Sequence, residues 1–102
     1  MDVARIGFIG TGWWATANHL PLLKKREECK GDVKLVAVCR LGAHELSQVQ
    51  NAFNVPYGTE DYRRMLDEVE LDGVVIASPH TLHFTHARAV LERGVHVMVE
   101  KP

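Results

Sequence analysis

A glycine turn near the N-terminus has the residue pattern of an anion-binding loop. It is the segment Gly10-Thr11-Gly12-Trp13-Trp14-Ala15, which fits G-x-G-x-x-G/A. The turn follows an apolar run and precedes a stretch of helical period, the setting in which this pattern is typical of dinucleotide binding. The alternative is a plain glycine turn between a strand and a helix.

The positions of this turn have distinct tasks in such a site. Gly10 permits the tight turn, Gly12 leaves room for a pyrophosphate, and Ala15 lets the helix pack closely on the strand. The amides from Thr11 to Trp14 and the helix dipole then hold the anion. We expect one of the two tryptophans in the core, and the other either walls the cofactor cleft or packs as well.

An arginine stands where the cofactor's ribose is usually recognised. A site for NAD usually has Asp or Glu at the end of the second strand, to bind the ribose 2′-hydroxyl. Here Arg40 takes that place, and the next carboxylate is Glu45. A guanidinium suits a 2′-phosphate through bidentate hydrogen bonds, although it also stacks on adenine, which suits either cofactor. The sequence therefore predicts NAD(P) with NADP favoured over NAD, unless Arg40 is simply solvated.

A histidine-rich segment follows the predicted fourth strand. It contains Ser78, Pro79, His80 and His83, at the sheet edge where ligands bind. His80, His83 and His86 are spaced by three, so on a helix their side chains spread around the axis, and we predict no metal. We expect His83 near the nicotinamide or at the helix start, with a hydrogen-bonded structural histidine as the alternative.

A lysine follows the last predicted strand at the same edge. Lys101 lies between Glu100 and Pro102. Its ammonium could bind a substrate oxygen and polarise a carbonyl during hydride transfer. A solvated lysine is the alternative from position alone.

The elements that must position these residues alternate along the chain. Four apolar runs predict strands, and they are Val3–Ile9, Val33–Cys39, Gly73–Ala77 and Val95–Val99. A fifth, Val55–Tyr57, would be a very short third strand, which Pro56 either keeps at the edge of the sheet or breaks. Between them, Trp14–Arg26 and three apolar stripes of helical spacing predict helices, the last with Gly94 as its C-terminal cap. Strands that are apolar on both faces and separated by helices indicate an α/β fold with a doubly wound parallel sheet of the Rossmann type, in the order 3-2-1-4-5.

Length and composition narrow the class of protein. The chain has 102 residues, of which 46% are hydrophobic and 25% charged, as expected of one globular domain. Twelve basic and thirteen acidic residues leave a net charge of -1, which argues against nucleic acid or a membrane as partner. We expect Cys29 and Cys39 to be free thiols and the protein to be cytoplasmic.

These motifs together resemble the Gfo/Idh/MocA oxidoreductases, which include glucose–fructose oxidoreductase and inositol dehydrogenase. The resemblance covers the whole chain and rests on the glycine turn, the segment from Ser78 to His83 and the closing Glu100-Lys101-Pro102. It implies that residues 1–102 are the N-terminal NAD(P)-binding domain of a longer chain. A second α/β domain would follow, bind substrate and form a homo-oligomer.

The resemblance also assigns roles to residues of this sequence. It implies that Lys101 contacts substrate at the nicotinamide, and that Ser78, Pro79, His80, His83 and Glu100 belong to the cofactor site. His80 stands where the family more often has asparagine, and Arg40 where it usually has an acid. The remaining acid/base group would lie beyond Pro102, so this chain alone is expected to bind cofactor without turnover.

The predicted function is hydride transfer between nicotinamide and a sugar, cyclitol or related hydroxy or carbonyl compound. Two alternatives remain: a non-redox nucleotide-binding sensor, and an NAD-dependent glycoside hydrolase of the same family. A sensor would lack an acid/base residue facing Lys101, and a hydrolase would retain tightly bound cofactor.

Overall fold

A computed structural model describes residues 3–10, 20–77 and 82–99 of the chain, with only the backbone of His83. Within these ranges, strands and helices alternate. The strands are β1 (Ala4–Ile9), β2 (Val33–Cys39), β3 (Tyr57–Thr59), β4 (Gly73–Ile76) and β5 (His96–Val99). The helices are α1 (Leu20–Cys29), α2 (Ala43–Phe53), α3 (Tyr62–Glu68) and α4 (His83–Glu92).

The strands form one parallel sheet in the order β3-β2-β1-β4-β5. This confirms the predicted fold class and strand order. The third strand was predicted over Val55–Tyr57, but it begins at Tyr57 and pairs with β2 through Thr59. Pro56 precedes the strand because proline has no N–H to donate to a sheet.

Helices cover both faces of the sheet, and each face has its own apolar cluster. On the α1–α2 face, Leu20, Leu46 and Val49 pack with Phe8 and Leu35. On the α3–α4 face, the cluster consists of Ile9, Val36, Ala37, Cys39, Met65, Leu66, Val74, Ile76 and Val90. The inner strands are therefore buried on both sides, as parallel sheets require.

The pairing of β1 with β2 contains a bulge. Ile6 pairs with Leu35 and Gly7 pairs with Ala37, so Val36 is the extra residue of β2. As a result, Val36 and Ala37 both belong to the cluster on the α3–α4 face, although neighbouring strand residues normally alternate.

The helix ends follow local rules. The Asp61 side chain accepts a hydrogen bond from the backbone N–H of Arg63 and caps α3. Gly94 has φ +72° just beyond α4, which confirms the predicted cap. Helix α1 ends at Cys29, beyond the predicted Arg26, and the first part of that predicted helix lies outside the described residues. No helix in the described ranges is long and apolar enough to cross a membrane.

Candidate nucleotide-binding edge

Backbone hydrogen bonds join the carboxyl end of β1 to those of β2 and β4. The N–H of Gly10 donates to the carbonyl of Cys39 at 2.7 Å, and the N–H of Ala77 donates to the carbonyl of Ile9 at 2.8 Å. Central strand β1 is followed along the chain by β2 on one side, whereas β4 pairs on its other side. The strand order therefore reverses beside β1, and open α/β sheets bind ligands at such a crevice.

Gly10 follows β1 at this crevice. Its φ of +83° lies in the left-handed region, which an L side chain adopts only with strain. The positive φ is a backbone conformation that a tight turn at Gly10 would use. The rest of the predicted turn lies outside the described residues, namely Thr11, Gly12, Trp13, Trp14 and Ala15.

Two further strand ends meet at the same edge. Ile76 of β4 pairs with Val99 of β5. The predicted cofactor-site residues Ser78 and Glu100 therefore follow two adjacent strands in the sequence. Of the residues predicted to follow these strands, those outside the described ranges are Ser78, Pro79, His80, Glu100 and Lys101.

Arg40 follows β2 at this edge. Its N–H donates to the carbonyl of Thr59 at 3.0 Å, which ties it to the end of β3. The side chain is half-buried, with Nε shielded from solvent, and it faces helix α2. It forms one wall of a groove of about 250 Å³, whose other lining residues are Glu45, Gln48, Val49, Ala52 and Phe53.

Two carboxylates lie beside the loop after Arg40, and one of them accepts a hydrogen bond from it. Gly42 has φ +95° and its N–H donates to Glu60 Oε1 at 2.6 Å. The Glu45 carboxylate lies close to Gly42 and fills the space that a side chain at position 42 would need. Neither Gly42 nor Glu60 was predicted as part of this site. A glycine directly before a helical stripe was the available signal for the first, whereas nothing in the sequence placed Glu60 near it.

The Cys39 thiol, which lies beside this loop, is expected to be unreactive. Burial, together with the negative charges of Asp61 and Glu60, raises the pKa of the Cys39 thiol to about 12. The thiol therefore stays protonated near neutral pH, and the thiolate is the nucleophilic form. Cys39 packs in the core rather than acting as a nucleophile at this edge.

The spaced histidines differ in their positions. Helix α4 begins at His83, close to the end of β4. His86 is buried, and its ring centroid lies 4.5 Å from that of Tyr62 on α3. Among the described residues, no three His, Cys, Asp or Glu side chains come together as metal ligands would.

Comparison with known proteins gives a consistent group of relatives. The model of an oxidoreductase family with an NAD-binding Rossmann fold matches residues 4–102. The D-glucoside 3-dehydrogenase of Escherichia coli is 38% identical over 102 residues, which cover 96% of this chain and 27% of that protein. A glycosyl hydrolase family 109 protein of Shewanella putrefaciens is 32% identical, over 100% of this chain and 23% of its own length.

A solved structure shows the same fold. The scyllo-inositol dehydrogenase of Lactobacillus casei, with bound NAD(H) and scyllo-inositol, superposes with a TM-score of 0.82 at 26% identity, covering 99% of this chain and 28% of that one. The chain thus spans only 23% to 28% of the length of these relatives.

Proposed function

This chain belongs to the Gfo/Idh/MocA oxidoreductase family with an NAD-binding Rossmann fold, and from this premise we propose that residues 1–102 form the cofactor-binding domain of an NAD(P)-dependent oxidoreductase. The substrate class is a sugar, cyclitol or related hydroxy or carbonyl compound. The names of the D-glucoside dehydrogenase and of the scyllo-inositol complex support this class.

The observation that carries the proposal is the turn at Gly10. Gly10 has a positive φ at the carboxyl end of the central strand, beside the point where strand order reverses, and this conformation permits the tight turn that precedes a pyrophosphate site. The cofactor supplies hydride chemistry when bound. The chain's part is to hold the pyrophosphate on the amides after Gly10 and to orient the nicotinamide beside Ser78, Pro79, His80, His83 and Glu100.

Lys101 has the proposed role closest to the reacting atoms. Its ammonium would donate to the substrate oxygen and stabilise the negative charge that develops there. The acid/base group would come from a second domain beyond Pro102, which would also form the homo-oligomer. Free Cys29 and Cys39 support a reducing compartment such as the cytoplasm.

We assign the finer cofactor preference to NADP because of Arg40. Its side chain lines a groove along α2, and Arg40 directly follows β2, the strand whose end recognises the ribose in folds of this type. Arg40→Asp should therefore weaken NADP⁺ binding far more than NAD⁺ binding. Lys34→Asp, an equal charge change at an exposed position of β2, is the matched control. Equal losses for both cofactors in Arg40→Asp would contradict the assignment.

Calorimetric titration of NAD⁺ and NADP⁺ into the protein tests the proposal. We expect binding of both, tighter for NADP⁺, and its loss in Gly12→Val, which places a branched side chain where the pyrophosphate approaches. Binding that survives in Gly12→Val would remove the glycine turn from the site. A chain that binds neither cofactor would overturn the proposal.

A second candidate is an NAD-dependent glycoside hydrolase, favoured by the relative from Shewanella putrefaciens. Such an enzyme would copurify with cofactor that added NAD⁺ does not exchange, and would cleave glycosides without net reduction of cofactor. A sensor module would instead bind cofactor reversibly without turnover of sugar substrates.

A further inference from the structure

We infer that Glu45 is a second determinant of cofactor preference, acting against Arg40 in the same groove, so that the site accepts both NAD⁺ and NADP⁺. Arg40 favours the 2′-phosphate of NADP⁺, and Glu45 favours the free 2′-hydroxyl of NAD⁺. This inference rests on the proposed cofactor-binding function.

The fold brings Glu45 back to the end of β2, although it comes five positions after Arg40 in the sequence. The chain reverses at Gly42, where φ is +95°, and helix α2 begins at the next residue. Glu45 lies in the first turn of that helix, with its carboxylate against Gly42. Distance along the sequence therefore misleads, because the carboxylate is adjacent to the loop that carries Arg40.

Both side chains form walls of the groove beside β2. A ribose 2′-hydroxyl can donate to a carboxylate, and a 2′-phosphate can accept from a guanidinium. The opposite pairings differ in sign: a carboxylate repels a phosphate ester, which carries about -1.5 to -2 charges at neutral pH. The groove thus contains one group that attracts and one that repels the extra phosphate.

Glu60 holds the loop rather than the ligand. Its Oε1 accepts from the Gly42 N–H, while the Arg40 N–H donates to the carbonyl of Thr59. Both bonds fasten the Arg40–Gly42 loop to the chain around the end of β3. Glu60 is therefore a positioning residue, and Glu60→Gln keeps an oxygen that can accept the same hydrogen bond.

A purely structural role for Glu45 predicts a different result. A carboxylate in the first turn of a helix stabilises the helix through its dipole. Loss of that effect would lower thermal stability, but it would not change the ratio of the two dissociation constants. The ratio is therefore the informative quantity.

The test compares Kd for NAD⁺ and NADP⁺, measured calorimetrically, in the unmodified protein and in Glu45→Gln. We expect the ratio to shift towards NADP⁺ by roughly 5- to 20-fold, the size of one charge interaction near a protein surface. The shift should shrink in ~0.5 M salt, because the groove is open to solvent. Glu28→Gln, the same charge change on exposed α1, should leave the ratio unchanged. Arg40→Gln should shift it towards NAD⁺.

The outcomes separate the two claims. Binding of both cofactors with an unchanged ratio in Glu45→Gln overturns this inference alone. An equal shift in Glu28→Gln also overturns it, because the effect would then be one of net charge. Absence of binding in the unmodified protein overturns the proposed function and this inference with it. A thermal melt of Glu45→Gln confirms that the variant is folded before its ratio is interpreted.

Discussion

The amino ends of the strands, here called the amino edge of the sheet, differ from the carboxyl ends in the side chains that lie there. At the amino ends of the strands, side chains add to backbone hydrogen bonds such as the one from the Asp72 N–H to the carbonyl of Arg5. The Asp72 carboxylate accepts from the Arg5 N–H at 2.7 Å, and Arg5 Nε donates to the carbonyl of Glu70 at 2.8 Å. Arg26 pairs with Asp32 at 2.6 Å. At this edge, side chains of the protein therefore bind one another and the backbone.

At the carboxyl edge, the strand ends are joined by backbone hydrogen bonds, and glycines with positive φ turn the chain. Gly10 and Gly42 are both in the left-handed region there, and a groove opens beside Arg40. Among the described residues, the Arg26–Asp32 ion pair thus lies at the amino ends of the strands, whereas the groove beside Arg40 lies at their carboxyl ends. Function and stability should therefore respond separately to substitution.

Alkylation of the two cysteines should give the largest contrast. Cys29 is exposed at the end of α1, whereas Cys39 is buried, with its pKa raised to about 12. At pH 7.5 the thiolate fraction of Cys39 is smaller by ~10³-fold than that of an ordinary thiol. We expect iodoacetamide to label Cys29 and leave Cys39 unmodified, as read by peptide mass spectrometry. Equal labelling in native protein would show that the carboxyl edge opens, with urea-unfolded protein as the control.

A matched glycine pair tests the edges directly. Gly10→Ala and Gly94→Ala both force an L residue into positive φ, at a cost of about 1–2 kcal/mol each. A Cβ at Gly94 would meet nothing within 4 Å, so only backbone strain acts there. We expect similar losses of stability in urea unfolding, but a loss of cofactor affinity of more than ~10-fold only in Gly10→Ala. Equal affinity in the two variants would mean that the Gly10 turn does not hold the cofactor.

Substitution of Asp72 should show the opposite separation. Asp72→Ala removes the acceptor of the Arg5 N–H and should lower the free energy of unfolding by about 1–2 kcal/mol. Asp72→Asn retains an oxygen acceptor and should lose less. Cofactor affinity, measured by calorimetry, should be unchanged in both variants. A fall in affinity would indicate that the two edges are coupled.

The smallest expected effect is on the stability of the protein at acidic pH. The Arg26 guanidinium, which donates to Asp32, holds the pKa of that carboxyl below its usual range. This contribution is present above the carboxyl's unfolded pKa of about 4 and is lost as the pH falls through the lower folded pKa. Urea unfolding between pH 6 and pH 3 should therefore show a shallower loss in Asp32→Asn, with Glu28→Gln as control. Superimposable profiles of Asp32→Asn and the unmodified protein would exclude this contribution.

Much of the fold could be predicted because it depends on local patterns. Apolar runs separated by helical stripes are sufficient for a parallel sheet, and right-handed crossovers then restrict the order of strands. The cap at Gly94 is equally local. The third strand was misplaced because its apolar residue, Val55, packs on the α1–α2 face before the strand begins.

The finer features of the site could not be predicted because they depend on residues that meet only in the folded chain. Glu60 reaches Gly42 across 18 positions of sequence, and no pattern links the two. The bulge at Val36 could not be predicted from the sequence either. Since the run Val33–Cys39 is almost wholly apolar, it carries no alternation from which a change of phase could be detected.

The bulge at Val36 determines on which face of the sheet each later residue of β2 lies. Val38 packs on the α1–α2 face and Cys39 on the α3–α4 face, so the next residue, Arg40, emerges beside α2. If Val36 and Ala37 instead lay on opposite faces in regular alternation, every later residue of β2 would change face, and Arg40 would point away from the groove. The proposed role of Arg40 therefore depends on how β2 pairs with β1, and not only on which residue stands at position 40.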